Sequence, residues 1–199
     1  MGIGEVTNAT LKRVTEEMNT GLTKVYTRDK VTKALQQLHP TKALGPDDMS
    51  AIFYHKYWDI VGSNITNMVL SVLNSNLPMN EINKTNISLI PKTNHPAKMT
   101  EFCSISLCNT LCKLISKILA NRFKAILPSI ISENQSAFTP DRLITNNVLV
   151  AFEFMHYLNH NSDGKENYMS IKLDISKAFD RVEWNFIKGV MEKLGFVKK

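Results

Sequence analysis

The sequence predicts a helix-rich α+β fold with a small, unfinished sheet, and three observations carry that expectation. Apolar residues recur at helical spacing in several stretches, among them Val31, Ala34, Leu35 and Leu38, and later Leu111, Leu114, Ile115, Ile118, Leu119 and Phe123. Two short stretches, residues 85–90 and 169–175, alternate apolar and polar side chains instead, the period of a strand with one buried face. The order of elements is helix, helix, helix, strand, helix, helix, strand, helix, which is not the strict strand–helix alternation of a parallel sheet. At 199 residues, with 43% apolar and 21% charged side chains, the chain has the composition of a globular protein with a sizeable core.

Residues 1–26 are polar, show only a loose helical pattern (Leu11, Val14, Met18), and are expected to be an extension or connector. The first ten residues lack a basic start followed by an apolar core, and no apolar run approaches membrane-spanning length. An intracellular protein, nuclear or cytoplasmic, without membrane contact is expected. From Thr27 a helix is predicted, closed by Pro40. Residues 39–50, HPTKALGPDDMS, form a loop by their Pro, Gly and Asp content, so the adjacent Asp47 and Asp48 belong to a turn. Two helices are predicted over 52–60 and 65–73, separated by Gly62 with Ser63 as cap. The alternating stretch 85–90 ends at Pro91-Lys92, a strand followed by a turn. In 102–124, FCSISLCNTLCKLISKILANRFK, Lys113, Lys117, Arg122 and Lys124 lie largely off the apolar stripe.

Cys103, Cys108 and Cys112 are odd in number and lack zinc spacing, which fits buried or idle thiols. A helix with Thr145 as cap carries Val148, Leu149, Phe152 and Met155, and Asp163-Gly164 turns the chain into the strand over 169–175. There Met169, Ile171, Leu173 and Ile175 mark the buried face, and Asp174 lies on the open one. The tight turn Ser176-Lys177-Ala178 follows. Asp180 and Glu183, three apart, have the spacing of a capping box, with Phe179 and Trp184 placed as its hydrophobic staple. Gly195 stands where a glycine ends a helix. Asp180 thus has a local structural job, and Asp174 has none. A carboxylate at a strand end is a frequent Mg2+ ligand, against a plain solvated strand end as the other reading.

The whole stretch KLDISKAFDRVEW, residues 172–184, resembles the first catalytic motif of reverse transcriptases from non-LTR retrotransposons, the long interspersed elements, and in particular their plant members. Further stretches resemble the same family in the same order. Residues 39–50 are similar to its KAPGPDG loop, with Leu44 and Asp48 as departures, and LIPK carries Lys92. FCSISL is similar to FRPISL, with Cys103 in place of the arginine and Ser104 in place of the proline. SENQSAFTPDRLITNN is similar to QSAFVPGR-ITDN, keeping Gln135, Ser136, Phe138 and Arg142, with Asp141 for a glycine and Asn146 for an aspartate.

The resemblance implies the fingers and an incomplete palm of a right-hand polymerase over 27–199, with a small antiparallel sheet, cut before the family's Asp-Asp motif. It implies that Asp174 binds catalytic Mg2+ (or Mn2+), with the Ile175 carbonyl as a further ligand. It implies that Phe179 approaches the sugar of the incoming nucleotide, which gives Phe179 two candidate roles. Lys92 and Arg142 would lie near template and nucleotide phosphates, and a formal charge of +6 suits a polyanionic partner. The implied partners are an RNA template, a DNA primer, a nucleoside triphosphate and the remaining C-terminal palm and thumb. The implied reaction is in-line attack of a primer 3′-OH with two metal ions. The second carboxylate supplier is expected after Gly195, so the fragment is expected to be inactive alone. The alternative is a non-catalytic, retroelement-derived nucleic-acid-binding fragment. A phosphotransferase with Asp174 as nucleophile would instead require a doubly wound parallel sheet.

Overall fold

A computed structural model of the chain describes residues 9–160, 169–175 and 178–198. The expected Asp163-Gly164 turn and the Ser176-Lys177 part of the tight turn lie outside the described residues. The helices are α1 Glu16–Thr23, α2 Arg28–Gln36, α3 Ala51–Lys56, α4 Trp58–Ser75, α5 Thr110–Lys124, α6 Leu127–Ile130, α7 Ile144–His160, α8 Ala178–Arg181 and α9 Trp184–Leu194. The strands are β1 Thr85–Pro91 and β2 Phe102–Cys108. This is the expected helix-rich α+β chain with a small antiparallel sheet. The chain divides into two units, a central one, Lys24–Phe123, and a terminal one made from the segments on either side of it.

The central unit is held by α2, α4 and α5. Thr27 takes the extended backbone of an N-cap (φ −118°, ψ 161°), and α2 then buries Val31, Ala34 and Leu35. These meet Val69 of α4 and Leu114, Ile115 and Ile118 of α5, with Tyr26 and Tyr54 closing the cluster. Val31 and Val69 are wholly excluded from solvent. Branched aliphatic side chains at helical spacing have few rotamers to lose, so they fill such a seam at low entropic cost. Burial raises the Tyr54 phenol above its ordinary pKa, and the Asp47 carboxylate adds to the rise.

The two helices predicted on either side of Gly62 are placed differently. The break falls at Tyr57, and Gly62 lies buried inside α4. The reason is an aromatic ring rather than a chain reversal: a Cβ at position 62 would stand 2.8 Å from Cδ2 of Trp58, one helical turn earlier. Asn76, at φ 53°, ends α4 in the left-handed region.

β1 and β2 pair antiparallel from Thr85 opposite Cys108 to Pro91 opposite Phe102. β1 was expected, whereas β2 was read only as the approach to a helix, although Ile105 and Leu107 alternate with Ser104 and Ser106. The predicted strand over 169–175 is not formed. Those residues make no ladder among the described residues, and all of them are exposed, including Met169, Ile171, Leu173 and Ile175. Alternation sets which side chains share a face, but a strand exists only when its N–H and C=O groups find a neighbour. Among the described residues the sheet is two-stranded and antiparallel, not the doubly wound parallel sheet that the phosphotransferase reading requires.

In the terminal unit α9 ends as expected. Gly195 (φ 98°) donates to the Glu192 carbonyl at 3.1 Å and Phe196 to the Met191 carbonyl at 3.1 Å, the paired bonds of a Schellman motif. This end is clasped by residues from the opposite end of the sequence. Arg13 and Val14 N–H groups donate to Leu194 O at 3.0 and 2.9 Å, and Asn19 Nδ2 donates to Gly195 O at 2.8 Å while its Oδ1 accepts from Val197 N–H at 3.2 Å. The start of α9 corrects the predicted capping box. Glu183, not Asp180, has the N-cap backbone (φ −75°, ψ 140°), and its carbonyl accepts from Ile187 N–H. Asp180 sits within the one-turn α8, so the i, i+3 carboxylate pair straddles two helices instead of opening one. Phe179 and Trp184, 90% and 81% exposed, form no staple. The α7 side chains Val148, Leu149, Phe152 and Met155 are likewise exposed.

Two outcomes follow from this packing. Gly62→Ala should lower stability by about 1–3 kcal/mol through overpacking against Trp58, although the same change in an open helix stabilises by about 1 kcal/mol. Thermal unfolding decides the sign, and a raised Tm would remove Trp58 from over Gly62. The raised Tyr54 pKa means that the folded state holds the phenolic proton more tightly than the unfolded chain does. Its stabilising contribution is full below the ordinary value of 10.0 and is lost as pH rises through the folded value. Tyr54→Phe should therefore unfold less steeply above about pH 10 in an alkaline titration, and identical slopes would place Tyr54 in water.

Candidate functional site

The stretch that carries Asp174 has no regular secondary structure, pairs with no strand among the described residues and is open to solvent, and α8 follows with Phe179 outward. Asp174 makes no hydrogen bond or ion pair with another described residue, so its carboxylate is presented rather than used in the scaffold. Ile175 beside it is also exposed. Metal binding can be tested on the donor set. Among the described residues no three His, Cys, Asp or Glu side chains gather at one place. Mg2+ accepts one or two carboxylates with water and phosphate, but a pair of ions needs more than the one carboxylate of Asp174. The described residues therefore do not fit a metal pair on their own.

The loop between α6 and α7 is the most fully tied part of the terminal unit's candidate surface. Arg142 Nη1 donates to Gln135 O at 2.8 Å and to Ser132 O, closing the loop on itself. Ser136, buried, donates its hydroxyl to Asn147 Oδ1 of α7 at 2.9 Å. Thr139 N–H bonds to Ser136 O, so residues 136–139 are a β-turn with Phe138 at its third position. Phe138 has φ 62° and is 95% exposed. Asp141 has φ 61° and Asp48 φ 52°. These two aspartates occupy the positions where the resembling family motifs carry glycine, and aspartate is among the side chains that tolerate this region best. Phenylalanine is not, and its strain there is about 1–2 kcal/mol.

In the central unit Lys92 closes the loop of the β1–β2 hairpin. Its N–H donates to Glu101 O at 2.8 Å and its Nζ to Thr100 O at 3.3 Å. Cys103 is exposed on β2 opposite Ile90, a free thiol like Cys108 and Cys112. Burial, seconded by Cys108, pushes the Cys112 thiol up. The loop over 39–50 is a turn at Asp47-Asp48, as expected, and it is pinned to the start of α5. Asn109 Oδ1 accepts from Asp47 N–H at 3.3 Å, Thr110 Oγ1 donates to Met49 O at 2.6 Å, and Lys113 Nζ donates to Ala43 O at 2.6 Å. Gly45 is buried in this contact, where an added Cβ would lie 2.5 Å from Asn109 N.

Lys92 and Cys103 belong to the central unit, and Asp174, Ile175, Phe179 and Arg142 to the terminal one. Among the described residues no hydrogen bond, ion pair or ring contact joins Asp174, Phe179 and Arg142 to one another. Sequence reasoning passed over Asn109 and the backbone of Phe138. The first could have been suspected from a polar residue just ahead of the α5 stripe. The second leaves no trace, since phenylalanine is not a turn residue.

A family profile described as reverse transcriptase (RNA-dependent DNA polymerase) matches residues 90–199. The chain is also 26% identical over 184 residues to the transposon TX1 uncharacterized 149 kDa protein of Xenopus laevis. That alignment takes in 92% of this chain and 14% of the relative, so the chain spans a minor part of the curated protein it matches. No helix among the described residues is long and apolar enough to cross a membrane.

Arg142 ties two carbonyls through one nitrogen that the planar guanidinium holds in place, so Arg142→Lys should loosen the 132–142 loop, because a flexible ammonium stem does not fix its nitrogen there. Each charge-assisted bond at this half-open site is worth about 1 kcal/mol. Limited proteolysis should cut Arg142→Lys and Arg142→Ala faster within this loop than the parent chain, at unchanged rates elsewhere. Equal cutting would show that Arg142 is not a strut.

Proposed function

The chain belongs to the reverse transcriptase (RNA-dependent DNA polymerase) family, and on that premise we propose that it is the fingers and first part of the palm, over 27–199, of a non-LTR retrotransposon polymerase. The observation that carries this reading is the placement of the KLDISKAFDRVEW stretch inside the matched span, with Asp174 unengaged and Phe179 outward. A carboxylate meant for a ligand gains nothing from a scaffold partner, and none is present for Asp174 among the described residues. Phe179 loses the staple role, which leaves the sugar of an incoming nucleotide as its candidate contact. Lys92 and Arg142 keep positive charge at two loop surfaces, and the net charge of +6 favours an RNA template and DNA primer. Arg142 combines this with its strut role, since one guanidinium nitrogen holds the loop and the fork has others.

Divalent Mg2+ (or Mn2+) in such an enzyme would neutralise charge on the triphosphate and the attacking hydroxyl. The described residues offer it one carboxylate, Asp174, and a partner segment must complete the set. The chain's own share of the work is then to bind the primer–template, to present Asp174 and to line the nucleotide's sugar with Phe179. The chain spans 14% of its relative, so only the share of the work that falls to these residues is proposed for it.

The test uses the 199-residue chain and an RNA–DNA primer–template. Binding should weaken with salt at a slope near −0.9 per neutralised phosphate, as counterion release requires. Primer extension with Mg2+ or Mn2+ should stay at background in the same preparation. Affinity flat across the salt titration would overturn nucleic-acid binding, and extension abolished by Asp174→Asn would overturn the incomplete site.

A further inference from the structure

We propose that Phe138 is a stacking platform for an unpaired base of single-stranded nucleic acid, a site that rests on the family reading above. The observation behind it is a conflict between backbone and side chain. Phe138 holds the third position of a β-turn at φ 62°, where glycine or asparagine is the ordinary occupant. The residue recovers nothing from its surroundings, because its ring is 95% exposed. Such a conformation persists only where the neighbouring structure over-determines it, and here it does. Arg142 holds the carbonyls of Ser132 and Gln135, Ser136 is bonded to Asn147, and Ser136 and Thr139 are buried on either side of the exposed ring. The turn is a fixed stalk and the ring is its open tip.

A flat aromatic face presented this way suits a base, whose π-face is the same for every sequence. The charges of the loop are of both signs, Asp141 beside Arg142, so the open ring is what sets the loop apart as a contact. Asp141, exposed at φ 61° on the same loop, repels a phosphate backbone but does not oppose stacking. The competing occupant is a protein surface, since Leu143 and Ile144 just beyond are also exposed. Against it, the turn that carries the ring is built from Ser136, Ala137 and Thr139, not from an apolar rim of the kind that surrounds protein anchors.

The probe is a single-stranded RNA of about ten nucleotides, within the usual site sizes for single-strand binders, titrated against the full chain at several salt concentrations. Phe138→Ala should weaken binding by about fivefold to hundredfold while leaving the salt slope unchanged, because stacking releases no counterions. Phe138→Trp should keep the affinity. Phe138→Gly should weaken binding as alanine does and yet raise Tm, since glycine takes this φ freely, so loss of binding cannot be put down to unfolding. With an oligonucleotide of abasic sites, parent and Phe138→Ala should bind equally. Full affinity in Phe138→Ala and Phe138→Gly, with the parent still salt-sensitive, would overturn this inference and leave the family reading standing. The same result with altered self-association in sedimentation would assign the ring to protein contact. A parent chain that binds no RNA at any salt would overturn both.

Discussion

The loop over residues 39–50 lies against the start of α5 because Gly45 has no side chain. With its backbone that close, Asn109 can accept from Asp47, Thr110 can reach Met49 O, and Lys113 can reach Ala43 O. Three residues within about one helical turn at the start of α5, Asn109, Thr110 and Lys113, are thereby tied to a loop that precedes them by more than sixty positions. α3 begins directly after that loop, and its Ala51 and Tyr54 enter the same cluster as Val31, Val69 and Leu114. Where the backbone at the buried Gly45 leaves water, its neighbours' backbone groups need partners, and here the side chains of Asn109, Thr110 and Lys113 supply them. The hydrophobic seam and the loop contact thus share one helix, with the apolar face of α5 serving the first and its opening residues the second.

What could be read from the sequence was mostly what is local. The α2 stripe, the α5 stripe, the Asp47-Asp48 turn and the glycine end of α9 each depend on residues within a few positions of one another. What could not be read depended on a partner. β2 exists because β1 stands opposite, and residues 169–175 have the alternation of a strand but no neighbour among the described residues. Gly62 looked like a break because glycine usually is one, but Trp58 supplied a packing reason that outweighed the propensity. The capping box failed in another way. A carboxylate pair three apart marks where a helix can start, and Glu183 instead of Asp180 adopted the extended backbone.

The candidate site divides along similar lines. Asp174 and Phe179 were singled out from their motif, and their outward placement gives them no competing structural duty among the described residues. Arg142 was read as a phosphate ligand, but its geometry first explains how a loop without regular structure keeps a single shape. The aspartates at 48 and 141 mattered as departures from glycine, and both adopt the backbone that glycine would have supplied. Substituting one left-handed-tolerant residue for another leaves a turn's path intact while changing the charge it displays. Each of these two loops therefore displays a negative charge at a left-handed bend.

The clasp between Arg13, Val14 and Asn19 and the end of α9 has a consequence for synthesis on the ribosome. The chain emerges N-terminus first, so one side of the clasp is synthesised some 180 residues before its partners exist. At about 5–20 residues per second, that interval is on the order of ten seconds or more. The central unit, continuous in sequence, can close during it. The early residues wait throughout with Val14 uncovered and Asn19 unpaired, available to any chaperone that recognises a short apolar segment in an extended chain. Completion of the terminal unit is in this sense set by the arrival of Leu194 to Val197 and not by the folding speed of what precedes them.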